Sequence, residues 1–184
     1  MFPFPVLFSA SSELSVARRF IRHRMNKVEL EGKALHPVIY KINIISLKSE
    51  YRRHFKERFP AMTLTSIGAV DIHDISRHPK ENEVILRGPY TLILDIFEDQ
   101  YDMVGYPCHV LDALVITSNR DHITTSQPGP EDDLARDMYA AMVTVTRSEY
   151  VMRYYREKGL DKEADECEQT LEAGRCQLEA LWSL

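Results

Sequence analysis

Two glutamates one residue apart, Glu81 and Glu83, sit where the polar stretch Ile75-Ser-Arg-His-Pro-Lys-Glu-Asn-Glu-Val-Ile-Leu86 runs into an apolar strand. On an extended backbone residues i and i+2 point to the same side, so both carboxylates are expected to face one cleft. Such a pair can divide labour. One member can stabilise a cationic, sugar-like transition state while its neighbour receives a proton. Glycosidases place their two carboxylates on opposite faces of the sugar, which neighbours on one strand do not readily supply. Taken alone, a Glu-x-Glu at a strand start is also what an ordinary charged, solvated strand entrance looks like. Chemistry here depends on what the rest of the chain brings to the pair.

Ahead of it, the apolar Val6-Leu-Phe8 reads as a strand, and Ser11 or Ser12 offers an N-cap for a helix over residues 13–25. Leu14, Ala17, Phe20, Ile21 and Met25 share one face of that helix, with Arg18, Arg19, Arg22 and Arg24 largely elsewhere. Gly32 and its polar surroundings end it. Val38–Ile45 alternates around Lys41 and Asn43 and predicts a strand. Residues 47–59 read as a short basic helix stopped by Pro60, 63–67 and 69–72 as brief strands, and 77–82 as a loop. Strands follow at Glu83–Leu86 and 90–97 around a Gly88-Pro89 turn, while 108–116 fits either a strand or a short buried helix. After Ser126-Gln-Pro-Gly-Pro130 the period changes. Leu134, Met138, Ala141, Val145, Ser148, Met152 and Tyr155 are spaced alternately four and three, and Gly159 breaks the run. Asp161 can cap a second helix with the seam Ala164, Cys167, Leu171, Gly174, Leu178 and Leu181, giving an antiparallel hairpin. The expected fold class is α+β: an α+β domain over 1–125 and a helical hairpin over 130–184.

Within that frame Ser76-x4-Glu81-x-Glu83-Val84-Ile85-Leu86 resembles the Glu-x-Glu segment of arginine-directed mono-ADP-ribosyltransferases, in which a serine precedes the pair. Leu7-Phe8-Ser9-Ala10-Ser11-Ser12 is similar to that family's Ser-Thr-Ser segment, an apolar strand ending in serines and entering a helix with an Ala-x-x-Phe pattern, here Ala17 to Phe20. Val38-Ile-Tyr-Lys-Ile-Asn-Ile44 resembles the strand that follows. Order and approximate spacing agree over residues 6–97. The resemblance implies an ADP-ribosyltransferase-like split β core, incomplete at its N-terminus. It implies transfer of ADP-ribose from NAD to a protein side chain, arginine in this family, with release of nicotinamide. NAD would be a substrate, no metal would be needed, and the partner would be an acceptor protein. It makes Glu83 the catalytic glutamate that binds the nicotinamide ribose and stabilises the oxocarbenium ion. Glu81 would orient the acceptor guanidinium and assist its deprotonation, while Ser9, Ser11 and Phe20 would line the NAD pocket. Two departures stand out. Ala10 replaces the usual threonine. The family also carries an arginine on a strand before the serines that holds the NAD phosphates, and residues 1–8 contain none. A truncated product, substitution by Arg18, Arg19 or Arg22, and a form without activity are all compatible with that.

Composition bounds the alternatives. The 184 residues carry a formal charge of −5, split into +7 over residues 1–80 and −12 over 81–184. The basic half could face phosphates, yet Arg18-Arg-Phe-Ile-Arg-His-Arg24 reads first as the solvated face of an amphipathic helix, which argues against nucleic acid. Three cysteines without a CxxC spacing argue against a disulfide scaffold and a cysteine-rich zinc site and point to a reducing compartment such as cytosol or nucleus, and a cytoplasmic location is expected. His73 and His78 near Asp71 and Asp74 have poor ligand spacing for a metal. No GxGxxG or GxxxxGK loop is present, and no apolar run approaches the roughly 20 residues that span a bilayer. The rival to an enzyme is a catalytically silent module that recruits a protein partner through the C-terminal helices.

Overall fold

Short β-branched and aromatic runs become strands, and the long four-three runs become helices, in the computed structural model, which describes residues 8–30, 37–62, 64, 69–86, 91–100, 107–116 and 130–184. The order is β1 (Phe8–Ser11), α1 (Leu14–Leu30), β2 (Val38–Ile45), α2 (Ser49–Arg58), β3 (Ala69–Asp71), a 3-10 turn (Pro79–Glu81), β4 (Glu83–Leu86), β5 (Thr91–Gln100), β6 (Pro107–Ile116), α3 (Pro130–Glu157) and α4 (Asp161–Trp182). The chain is α+β, with two small sheets, four helices and a C-terminal helical pair. It divides into two units, one of Met1–Ile45 with Gly68–Val115 and the other of Ser46–Ile67 with Ile116–Leu184. The helix read at 47–59 therefore belongs with the helical pair and not with the strands around it in sequence. Its Tyr51, Phe55 and Phe59, spaced by four, bury one stripe among apolar residues of α3 and α4. The expected helix end at Gly32, the strand at 63–67 (Leu64 apart), the Gly88-Pro89 turn and the boundary at 126–129 lie outside the described residues.

In the first unit β4 is the middle strand of a sheet ordered β1-β4-β3. It runs antiparallel to both neighbours, with Phe8 opposite Leu86, Ser11 opposite Glu83 and Asp71 opposite Val84. The second sheet is ordered β2-β6-β5. The segment 108–116, open between strand and helix, is a strand because the ten residues of β5 offer it an antiparallel ladder, interrupted only by a bulge between Ile93 and Asp95. Cys108, Val110 and Leu114 on β6 are buried, and Asp112 falls in the same alternating row. A carboxylate there needs partners. Lys41 Nζ at 3.2 Å and Asn43 Nδ2 at 2.6 Å supply them, which accounts for the two polar residues inside β2.

Helix α1 departs from its expected stripe. Met25 is buried and Ala17 and Ile21 are half-buried, but Leu14 and Phe20 are exposed and Val16 is buried instead. Leu14 is the first helical residue, and the residues just before it are tied by polar contacts to Glu81 and Asn82 ahead of β4.

In the second unit the seam holds. Met138, Ala141, Val145 and Ser148 of α3 and Ala164, Leu171, Gly174 and Leu178 of α4 are buried. Gly159 takes φ +72°, the left-handed turn that a glycine allows between the two helices. A Cβ on Gly174 would lie 3.2 Å from Val145 Cγ2, so this glycine lets the helices approach closely. Glu149 on α3 bonds to both Lys48 (2.8 Å) and Arg175 (3.0 Å). Among the described residues no helix is long and apolar enough to cross a membrane.

Candidate active site

Strand β1 ends in serines and β4 begins in a glutamate, and antiparallel pairing puts Ser11 directly opposite Glu83 and Ser9 opposite Ile85. Alternation along each strand sets Ser9, Ser11 and Glu83 on one face and Ala10 on the other. Ser9 and Glu83 meet across 74 residues of sequence, the Ser9 hydroxyl donating to Glu83 Oε1 at 2.5 Å. The second carboxylate oxygen accepts from the Ser76 hydroxyl at 2.6 Å. Ser76 comes from the turn after β3, where Ile72 N–H still bonds the Glu83 carbonyl and Ser76 N–H bonds the Ile72 carbonyl. His78 N–H donates to the Ser76 oxygen at 3.1 Å, so that hydroxyl is oriented from both sides. His73 closes the same turn, its two ring nitrogens 2.8 Å from Asp71 and 2.9 Å from Asp74. The hydrogen bond to Asp71, and then the two negative charges, raise its pKa above the ordinary histidine value. Among the described residues no group of three or more ligating side chains could hold a metal ion.

The two glutamates are not presented by a continuous extended strand. Pro79 opens a 3-10 turn that ends on Glu81, and Asn82 adopts a left-handed conformation, φ 44° and ψ 55°, before β4 starts. Asparagine accommodates that conformation better than most side chains. The same-side rule for i and i+2 therefore does not apply, and the two carboxylates are held by different partners. Ser11 explains why Glu81 is nonetheless fixed. Its hydroxyl does not reach Glu83; it donates to the Glu81 carbonyl at 2.6 Å and accepts from Glu13 N–H at 2.9 Å. Ser12 N–H to the Asn82 carbonyl and Asn82 Nδ2 to Glu13 Oε1 add two further ties between the start of α1 and the Glu-x-Glu turn.

The Glu81 carboxylate is taken up by Arg19 of α1, Nη2 to Oε1 at 2.7 Å, with the guanidinium side chain 59% and the carboxylate side chain 23% exposed. Phe20, the next residue, is 57% exposed, and its ring centre lies 5.9 Å from the Arg19 guanidinium carbon. The structure thus brings Ser9 to Glu83 and Ser11 to the Glu81 backbone, and links Phe20 to the pair through Arg19. The pairing of Arg19 was not read from the sequence. Four arginines within seven residues offered no way to tell which one would meet a carboxylate more than sixty positions away.

Glu83 has no ion-pair partner among the described residues. Hydrogen bonds from Ser76 and then Ser9 hold its carboxyl below the usual glutamate range, with the nearby His78 acting in the same direction. It is a fixed anion and a weak base, held by hydroxyls and, among the described residues, not by an ion pair. An anion so held suits stabilisation of positive charge developing on a bound molecule better than proton abstraction. Comparison of the chain with protein-family models, with curated proteins and with solved structures finds no match in any of the three.

Proposed function

We propose that this chain transfers ADP-ribose from NAD to a guanidinium acceptor and releases nicotinamide, on an ADP-ribosyltransferase-like core built from the two small sheets. The observation that carries the reading is the pair of serine hydroxyls on the two oxygens of Glu83, one from a strand 74 residues away. Local structure does not make those groups converge, and an ordinary solvated strand entrance has no need of them. In this reading Glu83 faces the nicotinamide ribose. As the C1′–N bond to nicotinamide lengthens, positive charge builds on the ribose, and the carboxylate stabilises that charge without reorganising because Ser9 and Ser76 already hold it. Ser11 fixes the Glu81 backbone so that its carboxylate can receive a guanidinium and take its proton. Phe20 offers an exposed aromatic face for stacking. Of the three helix arginines considered as phosphate contacts, Arg19 is engaged by Glu81.

The test is direct. The purified chain is incubated with NAD, with and without agmatine as a small guanidine acceptor, and nicotinamide and ADP-ribosylated agmatine are followed by chromatography. Nicotinamide release that rises with NAD and is lost in Glu83→Gln is expected. Failure of the wild-type chain to release nicotinamide or to be shifted in melting temperature by NAD would refute the reading and leave the C-terminal helical pair as the better place to look for function.

A further inference from the structure

We propose that Arg19 is an internal acceptor: the side chain on which the protein places ADP-ribose itself. The inference rests on the transferase reading and adds a modification site to it. If Glu81 is the carboxylate that receives the acceptor guanidinium, its occupant in this structure is already a guanidinium, with Arg19 Nη2 at 2.7 Å from Oε1. The contact is an ordinary charge-assisted bond between a mostly exposed arginine and a half-buried carboxylate, a class that holds weakly and opens readily. Arg19 lies on α1, whose start is tied to the Glu-x-Glu turn through Ser11, Ser12 and Glu13, so the guanidinium is delivered by a fixed element and not by a wandering loop. Its exposure leaves room for a bulky adduct on the solvent side.

The step balances without a further reactant. Glu81 accepts the proton from the Arg19 guanidinium, the freed Nη atom forms a bond to ribose C1′, and the C1′–N bond to nicotinamide breaks. Nicotinamide leaves neutral with that electron pair, and the proton on Glu81 passes to water. A free guanidine must then compete with Arg19 for the same carboxylate.

The experiment uses the full chain with NAD and reads intact mass, followed by fragmentation of the α1 peptide. One ADP-ribosyl group on Arg19 is expected, at a rate that does not change over a tenfold dilution of protein, and with progressive protection by agmatine. Arg19→Lys keeps a cation opposite Glu81 but removes the guanidine, and should abolish labelling of the α1 peptide. Label on agmatine with Arg19 clean overturns the internal acceptor while leaving the transferase reading intact. Labelling that slows in proportion to dilution, or that persists on α1 in Arg19→Lys, also overturns it. Absence of nicotinamide release altogether removes both.

Discussion

Glu83→Gln is the substitution on which the transferase reading stands or falls. Glutamine keeps the length of the side chain and one acceptor oxygen, so the carbonyl can still take the Ser76 hydroxyl, which His78 N–H orients from behind at 3.1 Å. The amide NH2 must then face Ser9. The existing Ser9 contact is 2.5 Å, within the range of a hydroxyl on a carboxylate, whereas an N–H to oxygen bond needs about 2.7–3.2 Å. The side chain must move back by a few tenths of an ångström and present a positive dipole end where a full negative charge stood. Loss of a preorganised stabiliser of transition-state charge costs about 100- to 1,000-fold in turnover. Nicotinamide release from saturating NAD should fall by that factor, while the melting temperature changes little because the group is near the surface. Ser76→Ala is the companion perturbation. It removes the largest influence lowering the Glu83 pKa, so the acid limb of the pH–rate profile should move to higher pH with the plateau at neutral pH less affected. The sign follows because a carboxylate whose pKa is less depressed takes up its proton earlier as pH falls. If Glu83→Gln keeps more than a tenth of wild-type nicotinamide release in a folded protein, the electrostatic role assigned to Glu83 is wrong.

Glu81→Gln should spare NAD hydrolysis and depress transfer to agmatine, because only the second needs a carboxylate to hold and deprotonate a guanidinium; equal loss of both, measured in one assay, would remove the division of roles. Glu149→Ala should destabilise the second unit by about 1–2 kcal/mol, since the carboxylate is 16% exposed and bonds two cations whose own heads are partly in water. Burial alone would raise the Glu149 pKa, but the hydrogen bonds from Lys48 and Arg175 outweigh it and hold the value below the ordinary 4.5. The stabilisation is therefore present above pH 4.5 and lost as pH falls through the lowered value, so denaturant melts of wild type and variant should converge in acid. Gly174→Val should cost about 2 kcal/mol or more, because even a Cβ would stand 3.2 Å from Val145 Cγ2 and 3.3 Å from Thr144 Cγ2. Restoration of the melting temperature by Val145→Ala in the same chain would show that crowding at that contact is the cause.

What could be read from the sequence was whatever depends on local period. Val38–Ile45 is a strand with the expected bounds, and the four-three seam of α3 and α4 is buried along its middle and half-buried at Leu134, Met152, Tyr155, Cys167 and Leu181, because in both cases one repeating face decides the structure. The meeting of Ser9 with Glu83 was anticipated only through a family likeness. Periodicity says nothing of which strands become neighbours. The conformation of Asn82 was hidden because a single left-handed residue has no period, yet it decides where Glu81 points. Helix α1 differs from its apolar spacing: Leu14 and Phe20 are exposed and Val16 is buried, while the polar ties of Ser11, Ser12 and Glu13 hold the residues just ahead of its first turn. The partnership of α2 with the helical pair was hidden because a short amphipathic helix declares that it has an apolar stripe but not what will cover it.

That partnership sets the order of events when the chain is made. Residues 46–67 are synthesised long before α3 and α4, yet their aromatic stripe is buried by those two helices. A ten-residue helix is marginal by itself in water, so α2 gains little stability, and Tyr51, Phe55 and Phe59 lack their cover, until the last third of the protein has emerged. The strands on either side are not delayed in proportion, since closing a loop that carries such an insertion costs only the logarithm of its length. The first unit can therefore reach its Ser9–Glu83 arrangement while the second still waits for its partners. In that interval the aromatic stripe of α2 is the part of the chain still without the apolar cover that α3 and α4 give it in the finished protein.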